Sequence, residues 1–126
     1  MKTYSELFGR PPDFRVRYRC LGKEGPKKPK RFYQHIRSPF SYKEFDEESE
    51  ASTLFDIFPE FEAEDGSIYP EESLIPLIGT ARMWINRDEM RDYHRERIKV
   101  GVKGFMGGGI KLAEVEVIEV VSLASE

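Results

Sequence analysis

Hydrophobic and polar residues alternate with a period of two along much of this chain, which is the pattern of a half-buried β-strand. The clearest case runs from Asp13 to Cys20. One face of this segment is apolar and the other carries arginines: Phe14, Val16, Tyr18 and Cys20 against Arg15, Arg17 and Arg19. We therefore predict a strand with a buried apolar face and a basic outer face. Cys20 shares the inward phase and is expected to pack as a small core residue.

The same periodicity predicts further strands separated by turns. Thr53–Phe61 is apolar around Pro59 and fits either a helical turn or a strand. The other predicted strands are Arg31–Ile36, Phe40–Phe45, Gly79–Asn86, Arg97–Lys103 with Ile98, Val100 and Val102 inward, and Ile110–Leu123 with a β-bulge near Val117 and Ile118. Five to seven short strands without a long amphipathic helix predict an all-β sandwich or barrel.

The segments between the predicted strands are polar or rich in glycine. Leu21–Lys30 combines glycine, proline and lysine and is expected to be an exposed loop. Arg87–Arg97 is nearly all charged and predicts a solvated loop or a single helical turn. Gly104–Gly109 superficially resembles a phosphate-binding loop. Such a loop needs a following Lys-Ser/Thr pair and a helix, whereas these glycines lie between strand patterns, so we predict a β-turn.

Length and composition favour one small globular unit. The 126 residues fit a single domain, which we expect to span 1–126 with a core of about 13–121. No apolar run approaches the ~20 residues that a membrane span needs, and Met1–Arg10 lacks the apolar centre of a signal peptide. We therefore expect a cytoplasmic location without membrane contact. A single cysteine, Cys20, excludes an internal disulfide and a structural zinc site.

The formal net charge of -3 conceals two blocks of opposite sign. Arg10–Lys43 contains eleven basic and two acidic residues, a charge of +9. Glu44–Glu72 contains twelve acidic residues and no Lys or Arg, a charge of -12. The near-neutral total excludes a uniformly basic surface, but it leaves room for one basic face.

The basic block supplies a candidate binding face. Its aromatic residues are interleaved with cations, as stacking on RNA requires. The candidate residues for binding RNA or a protein partner are Arg15, Arg17, Arg19, Lys27, Lys28, Arg31, Arg37, Phe40 and Tyr42. The alternative is that this basic face pairs with the protein's own acidic block across the sheet. The sequence leaves both interpretations open.

The acidic block supplies a second candidate surface. We expect a mobile loop at 44–52, and the whole acidic segment Glu44–Glu72 could cover a basic protein partner in the manner of an inhibitor or immunity-type protein. Its candidate residues are Glu44, Asp46, Glu47, Glu48 and Glu50. The alternating acids resemble a calcium loop in composition only, because the central Gly and the terminal bidentate Glu are missing.

Residues with catalytic chemistry are few. The only histidines are His35 and His94, and His94 lies between Asp92 and Glu96 in a run of charged residues. A hydrolytic site could use these three groups, but their spacing proposes no nucleophile and fits a solvated surface better. Two histidines without further ligands also do not make a catalytic metal site. We therefore predict no catalytic residues, no metal and no cofactor.

The order of these features resembles the third domain, the C-terminal β-barrel, of translation elongation factor Tu. In that family a strand leads through a basic loop to a Tyr-Arg-Pro-Gln-Phe-Tyr-Phe segment. Here Phe14–Tyr18 leads through Lys23–Pro26 to Ile36–Tyr42. The family's later strands and glycine-rich hairpin are matched in order by Ile78–Ile85, Arg97–Val102, Gly107–Gly109 and Val115–Ile118. The likeness extends over about Asp13–Val121.

The resemblance implies a six-stranded antiparallel Greek-key barrel that acts as a non-enzymatic binding module. The family's GTP-binding domain has no counterpart in this sequence. In the family, the barrel helps to bind aminoacyl-tRNA and contacts the exchange factor. The expected partner is therefore a tRNA-like RNA or a translation protein. Arg37 matches the Arg of the family segment, and Pro39 and Phe40 lie near its Pro and Phe.

Overall fold

A computed structural model describes residues 2–21, 32–46, 53–108 and 110–124. The fold is all-β, with six strands and three short helices in the described residues. The strands are β1 (Phe14–Cys20), β2 (Phe40–Tyr42), β3 (Ile57–Glu62), β4 (Ile78–Ile85), β5 (Lys103–Met106) and β6 (Ala113–Val120). The helices are α1 (Tyr4–Phe8), α2 (Lys43–Asp46) and α3 (Arg91–Arg95), and 3₁₀ turns span Asp88–Met90 and Ser122–Ala124.

The six strands form one antiparallel sheet that curls like a barrel. Their order is β2-β5-β6-β1-β4-β3, so β2 and β3 are the two edges. Phe40 in β2 and Phe55, just before β3, exchange two backbone hydrogen bonds of 3.0 and 2.8 Å, which joins the edges. Counting this bridge, four consecutive strands take the spatial order β5-β2-β3-β4, which is the Greek-key arrangement. The predicted all-β, barrel-like antiparallel fold is confirmed.

The inward face of β1 forms the centre of the core. Phe14, Val16, Tyr18 and Cys20 are all buried, as the alternation predicts, and Cys20 belongs to the apolar core cluster. The predicted β-bulge in the last strand is also confirmed. Arg15 lies opposite Glu119 whereas Val16 lies opposite Val117, so Ile118 is the extra residue.

β4 is buried on both faces at its C-terminal end. Met83 faces the core, as predicted, but the outward-facing Trp84 is also fully buried. Helix α1 covers it: the rings of Tyr4 and Phe8 lie with their centroids 5.8 and 6.2 Å from Trp84. Thr3 begins this helix with a reciprocal capping box, and Gly9 ends it in the left-handed conformation (φ 68°). No helix is predicted for this segment from the sequence pattern.

Two predicted strands are wrong. In Arg31–Ile36 the described residues form only an isolated bridge between Tyr33 and Leu74. The side-chain amide of Gln34 instead donates to Phe61 O (2.9 Å) and accepts from Phe61 N (2.8 Å), taking up backbone groups that a strand would pair.

Thr53–Phe61, for which the sequence allowed either a helical turn or a strand, forms a strand from Ile57 onward.

Arg97–Lys103 turns instead of extending. Ile98 is buried as predicted, but Val100 is strongly exposed and β5 begins only at Lys103. Two features reverse the chain here: Val102 N donates to Lys99 O, and Gly101 adopts φ 95°, where a residue without a side chain is favoured. The alternation of apolar residues in this segment therefore does not reflect a strand.

Candidate binding cleft

The outer face of the sheet carries a ladder of arginines and glutamates. The arginines of β1 lie directly opposite glutamates of β6 in the strand register. Each pair forms an ion pair: Arg15 Nη1–Glu119 Oε1 (2.9 Å), Arg17 Nη2–Glu116 Oε2 (2.7 Å) and Arg19 Nε–Glu114 Oε1 (3.0 Å). Directly opposed charges of this kind stabilise an antiparallel strand pair.

Arg15 of the ladder also forms an ion pair with Glu62, a residue of the protein's acidic block. Glu62 is almost fully buried, and its two oxygens accept hydrogen bonds from Arg15 and Arg82. Burial alone would lower the pKa of Arg15, but its hydrogen bonds to Glu119 and Glu62 outweigh that effect and raise it. The internal pairing that the sequence left open is therefore present in part, and the binding role of the basic face stays a prediction. Within the described residues, the arginines of β1 pair mainly with the glutamates of β6, and Glu62 is the one residue of the acidic block that pairs with them.

A cleft of about 430 Å³ opens beside this ladder on the outer surface. Arg17 and Arg19 line it from β1, and their side chains remain 64% and 59% exposed despite their ion pairs. Lys43, at the start of α2, and Lys103, at the start of β5, line it from the other side. Neither lysine forms an ion pair with another residue of the described part of the chain.

The cleft combines positive charge with apolar surface. Four cations and two carboxylates, those of Glu114 and Glu116, line it and give a formal charge of +2. One row of residues crosses the strands in the order Phe105, Glu114, Arg19 and Ile78, because each lies opposite the next in the strand register. The apolar residues Phe105 and Ile78 are therefore the two ends of this row, and both line the cleft. Such a surface can attract an anionic group and contact the apolar part of the same ligand.

The structure separates the other predicted RNA-binding residues from this cleft. Phe40 and Tyr42 are fully buried, so the expected stacking of their rings on RNA is corrected: both are core residues. Tyr42 packs against Phe45, Phe55 and His94. Arg37 is exposed but does not line the cleft. Lys27, Lys28 and Arg31 lie outside the described residues.

The acidic candidate surface is described only at its first residue. Glu44 is exposed on α2. The backbone of Asp46 ends this helix, but its side chain, together with Glu47, Glu48 and Glu50, lies outside the description. The basic protein partner that these residues would bind therefore stays a prediction, as does the mobile loop.

Both histidines are held in contacts that stabilise the fold. His94, expected in a solvated segment, is buried with Nδ1 2.6 Å from the hydroxyl of Tyr42. Burial, reinforced by the positive charge of Arg97, lowers the pKa of His94 from 6.5 to about 4. The neutral ring and the Tyr42 hydroxyl share a hydrogen bond at Nδ1, and burial raises the pKa of that hydroxyl. Asp92, the proposed neighbour of His94 in a hydrolytic site, pairs instead with Arg95.

The second histidine joins α1 to the barrel. His35 Nε2 lies 2.7 Å from Oε2 of the fully buried Glu60, and the same oxygen accepts a hydrogen bond of 2.8 Å from Tyr4 N. The ring of Tyr4 stacks on His35 at 4.4 Å and 15°. Burial raises the pKa of Tyr4 to about 12. This cluster fastens the N-terminal helix over Trp84 and leaves no open surface for a substrate at His35.

Two of the four cations that line the cleft, Lys43 and Lys103, were not predicted from the sequence. Lys43 and Lys103 come from distant parts of the chain and meet only because β2 pairs with β5. Nothing in the sequence matches Glu114 and Glu116 of β6 to the arginines of β1. That match depends on strand order and register, which periodicity alone does not supply.

Comparison with known proteins adds no relative. No family model, no curated protein and no solved structure matches the chain. The resemblance to elongation factor Tu therefore stays a prediction based on the sequence motifs. None of the described helices is long and apolar enough to cross a membrane. Within the described residues, no three His, Cys, Asp or Glu side chains are grouped so that they could hold a metal ion.

Proposed function

We propose that this protein is a non-enzymatic binding module that takes an anionic partner, an RNA or an acidic translation protein, on its outer basic cleft. The observation that supports the proposal is the excess of cations in the cleft, where Lys43 and Lys103 add to the two paired arginines. The resemblance to the elongation factor barrel suggests the same partner classes. A cytoplasmic location belongs to the same proposal.

The pairing of the arginines is compatible with this function. Exposed ion pairs contribute only about 0–1 kcal/mol each, so a phosphate or carboxylate of a partner can compete for the same guanidinium groups. Lys43 and Lys103 form no ion pair within the described residues, so an anion of the partner can bind them without displacing a carboxylate. They are therefore the side chains whose removal is expected to weaken binding most cleanly.

The non-enzymatic part of the proposal is supported by the histidines. His94 is buried against Tyr42, and His35 is held between Glu60 and Tyr4. Neither imidazole lines the cleft. A general base must lie within hydrogen-bond reach of its substrate, which these two positions do not offer.

Fluorescence anisotropy with labelled tRNA and single-stranded RNA tests the proposal across about 50–200 mM salt. We expect binding that weakens steeply with salt, because phosphate contacts release counterions. The double variant Lys43→Glu/Lys103→Glu should flatten the slope of log K against log salt by about 1.4–1.8, since each of the two lost contacts contributes about 0.7–0.9.

A matched control changes the same charge elsewhere. Lys2→Glu/Arg87→Glu alters the net charge equally, but both residues are exposed and neither lines the cleft. This variant should bind as the unchanged protein does. Failure of RNA and of acidic protein probes to bind, or equal losses in the two double variants, would contradict the proposal.

A further inference from the structure

A ridge of exposed apolar side chains adjoins the cleft. It starts with Ile78 on the cleft wall, which is 66% exposed, and runs back along the connection into β4 to Leu77 and Leu74, the latter 62% exposed. Tyr33, also exposed, faces Leu74 across the isolated bridge. We call Tyr33, Leu74, Leu77 and Ile78 the apolar ridge. Exposed aliphatic side chains grouped beside a charged cleft are typical of a protein-interaction surface.

The chemistry of the ridge and the cleft together discriminates between partner classes. RNA recognition uses aromatic or arginine planes for stacking, and three of the four ridge residues are aliphatic. Glu114 and Glu116 within the cleft repel a phosphate backbone, but they tolerate a peptide whose carboxylates are spaced to meet the cations. Apolar side chains of a peptide would bury Leu74 and Ile78, which a polynucleotide backbone cannot do.

We propose, building on the function above, that the partner is a protein segment that alternates acidic and large apolar side chains. Its carboxylates contact Lys43 and Lys103, and its apolar side chains cover the apolar ridge. Charge complementarity with the +2 cleft sets the orientation and the association rate, and burial of the ridge supplies affinity and selects against purely acidic ligands.

Three labelled probes test this inference by anisotropy at fixed salt. The first is a peptide of about 12 residues that combines Asp and Glu with Leu and Phe. The second is the same peptide with Ser at each apolar position, and the third is single-stranded oligouridylate of similar net charge. We expect the first peptide to bind at least about tenfold more tightly than the second, because each covered aliphatic side chain contributes about that factor.

Substitutions on the ridge provide the matched comparison. Leu74→Ser and Ile78→Ser, made singly, remove exposed side chains and leave the core intact, and each should weaken the first peptide about tenfold. Leu74 does not line the cleft, so Leu74→Ser should leave RNA binding unchanged. Leu7→Ser, an equally exposed leucine on α1 outside the ridge, should change nothing. Circular dichroism establishes that all three variants fold.

The outcomes separate the two proposals. Equal binding of both peptides, or ridge variants that bind the first peptide unchanged, would overturn the inference about the apolar ridge. Tighter binding of oligouridylate than of either peptide would also overturn it and leave the proposed function standing with RNA as the partner. If none of the three probes binds, the proposed function itself fails.

Discussion

The buried histidine in α3 makes the stability of this protein depend on pH in a defined window. The pKa of His94 is about 4 in the folded protein against an ordinary value of 6.5, which approximates the unfolded chain. Since the folded-state pKa is depressed, the unfolded chain takes up a proton at His94 before the folded protein does. The stability associated with the neutral ring is therefore complete above 6.5 and is lost as the pH falls toward 4.

The size of the effect follows from the same two values. At about pH 5 the unfolded chain is almost fully protonated at this position and the folded protein hardly at all, which lowers the free energy of unfolding by about 2 kcal/mol relative to about pH 8. The side chain is only 1% exposed, so solvent screening reduces this figure little. Protonation would also make both ring nitrogens donors, so that Nδ1 could only donate to the Tyr42 oxygen.

Urea denaturation at the two pH values measures this loss directly. His94→Asn is the comparison, because its amide oxygen can accept the Tyr42 hydroxyl but cannot titrate. Between the two pH values, the free energy of unfolding of the variant should fall by about 2 kcal/mol less than that of the unchanged protein. The His35–Glu60 pair is present in both proteins and therefore does not contribute to this difference. Equal pH dependence of the two proteins would refute the reasoning, as would an NMR titration in which the His94 ring titrates near 6.5.

Two further substitutions test the packing and the ladder. Gly104→Ala should lower the free energy of unfolding in urea by about 1–3 kcal/mol, because the new Cβ would lie 2.5 Å from the backbone oxygen of Ser41. Gly108→Ala is the control and should lower it far less, because there is open space around Gly108. Glu62→Gln should cost about 3 kcal/mol because it leaves two partly buried guanidinium groups without their shared carboxylate, whereas Glu116→Gln should cost less than about 1 kcal/mol. Similar losses in either pair of variants would contradict the corresponding argument.

The parts of the fold that the sequence predicted are those with a strict local pattern. The alternation in β1 reveals both its buried face and its arginines, since a period of two places every second side chain on one side. The slip at Val117 and Ile118 reveals the bulge for the same reason. Where two faces are buried, as at Trp84, a period of two identifies the strand but assigns its outward face to solvent. The helix that covers Trp84 is only one and a half turns long, too short to produce a periodic pattern.

The candidate site was harder to predict than the strands because it depends on contacts between distant segments. Phe40 and Tyr42 lie between cations in the sequence, which suggests stacking, but β2 is buried along its whole length. Burial of β2 results from its position at the joint of the curled sheet, beside Phe55 and under His94. No property of the residues around Phe40 contains that information, because tertiary contacts decide it.

The division of the basic residues between the ladder and the cleft follows from their chemistry. Arginine presents a planar fork that can meet a carboxylate with two donors, and the β1 arginines each face a glutamate across the strand register. Lysine is a point charge on a flexible stem: Lys103 lies opposite Glu116 in the register of β5 with β6, yet neither Lys103 nor Lys43 forms an ion pair with a carboxylate of the described residues. The ladder is therefore close to neutral, and the excess charge of the cleft comes from two lysines that strand pairing brings together. A blocky charge distribution along the chain does not by itself make a binding face. Among the described residues, the register of β1 with β6 places three arginines of the basic block opposite glutamates, and the pairing of β2 with β5 brings Lys43 and Lys103 to one cleft.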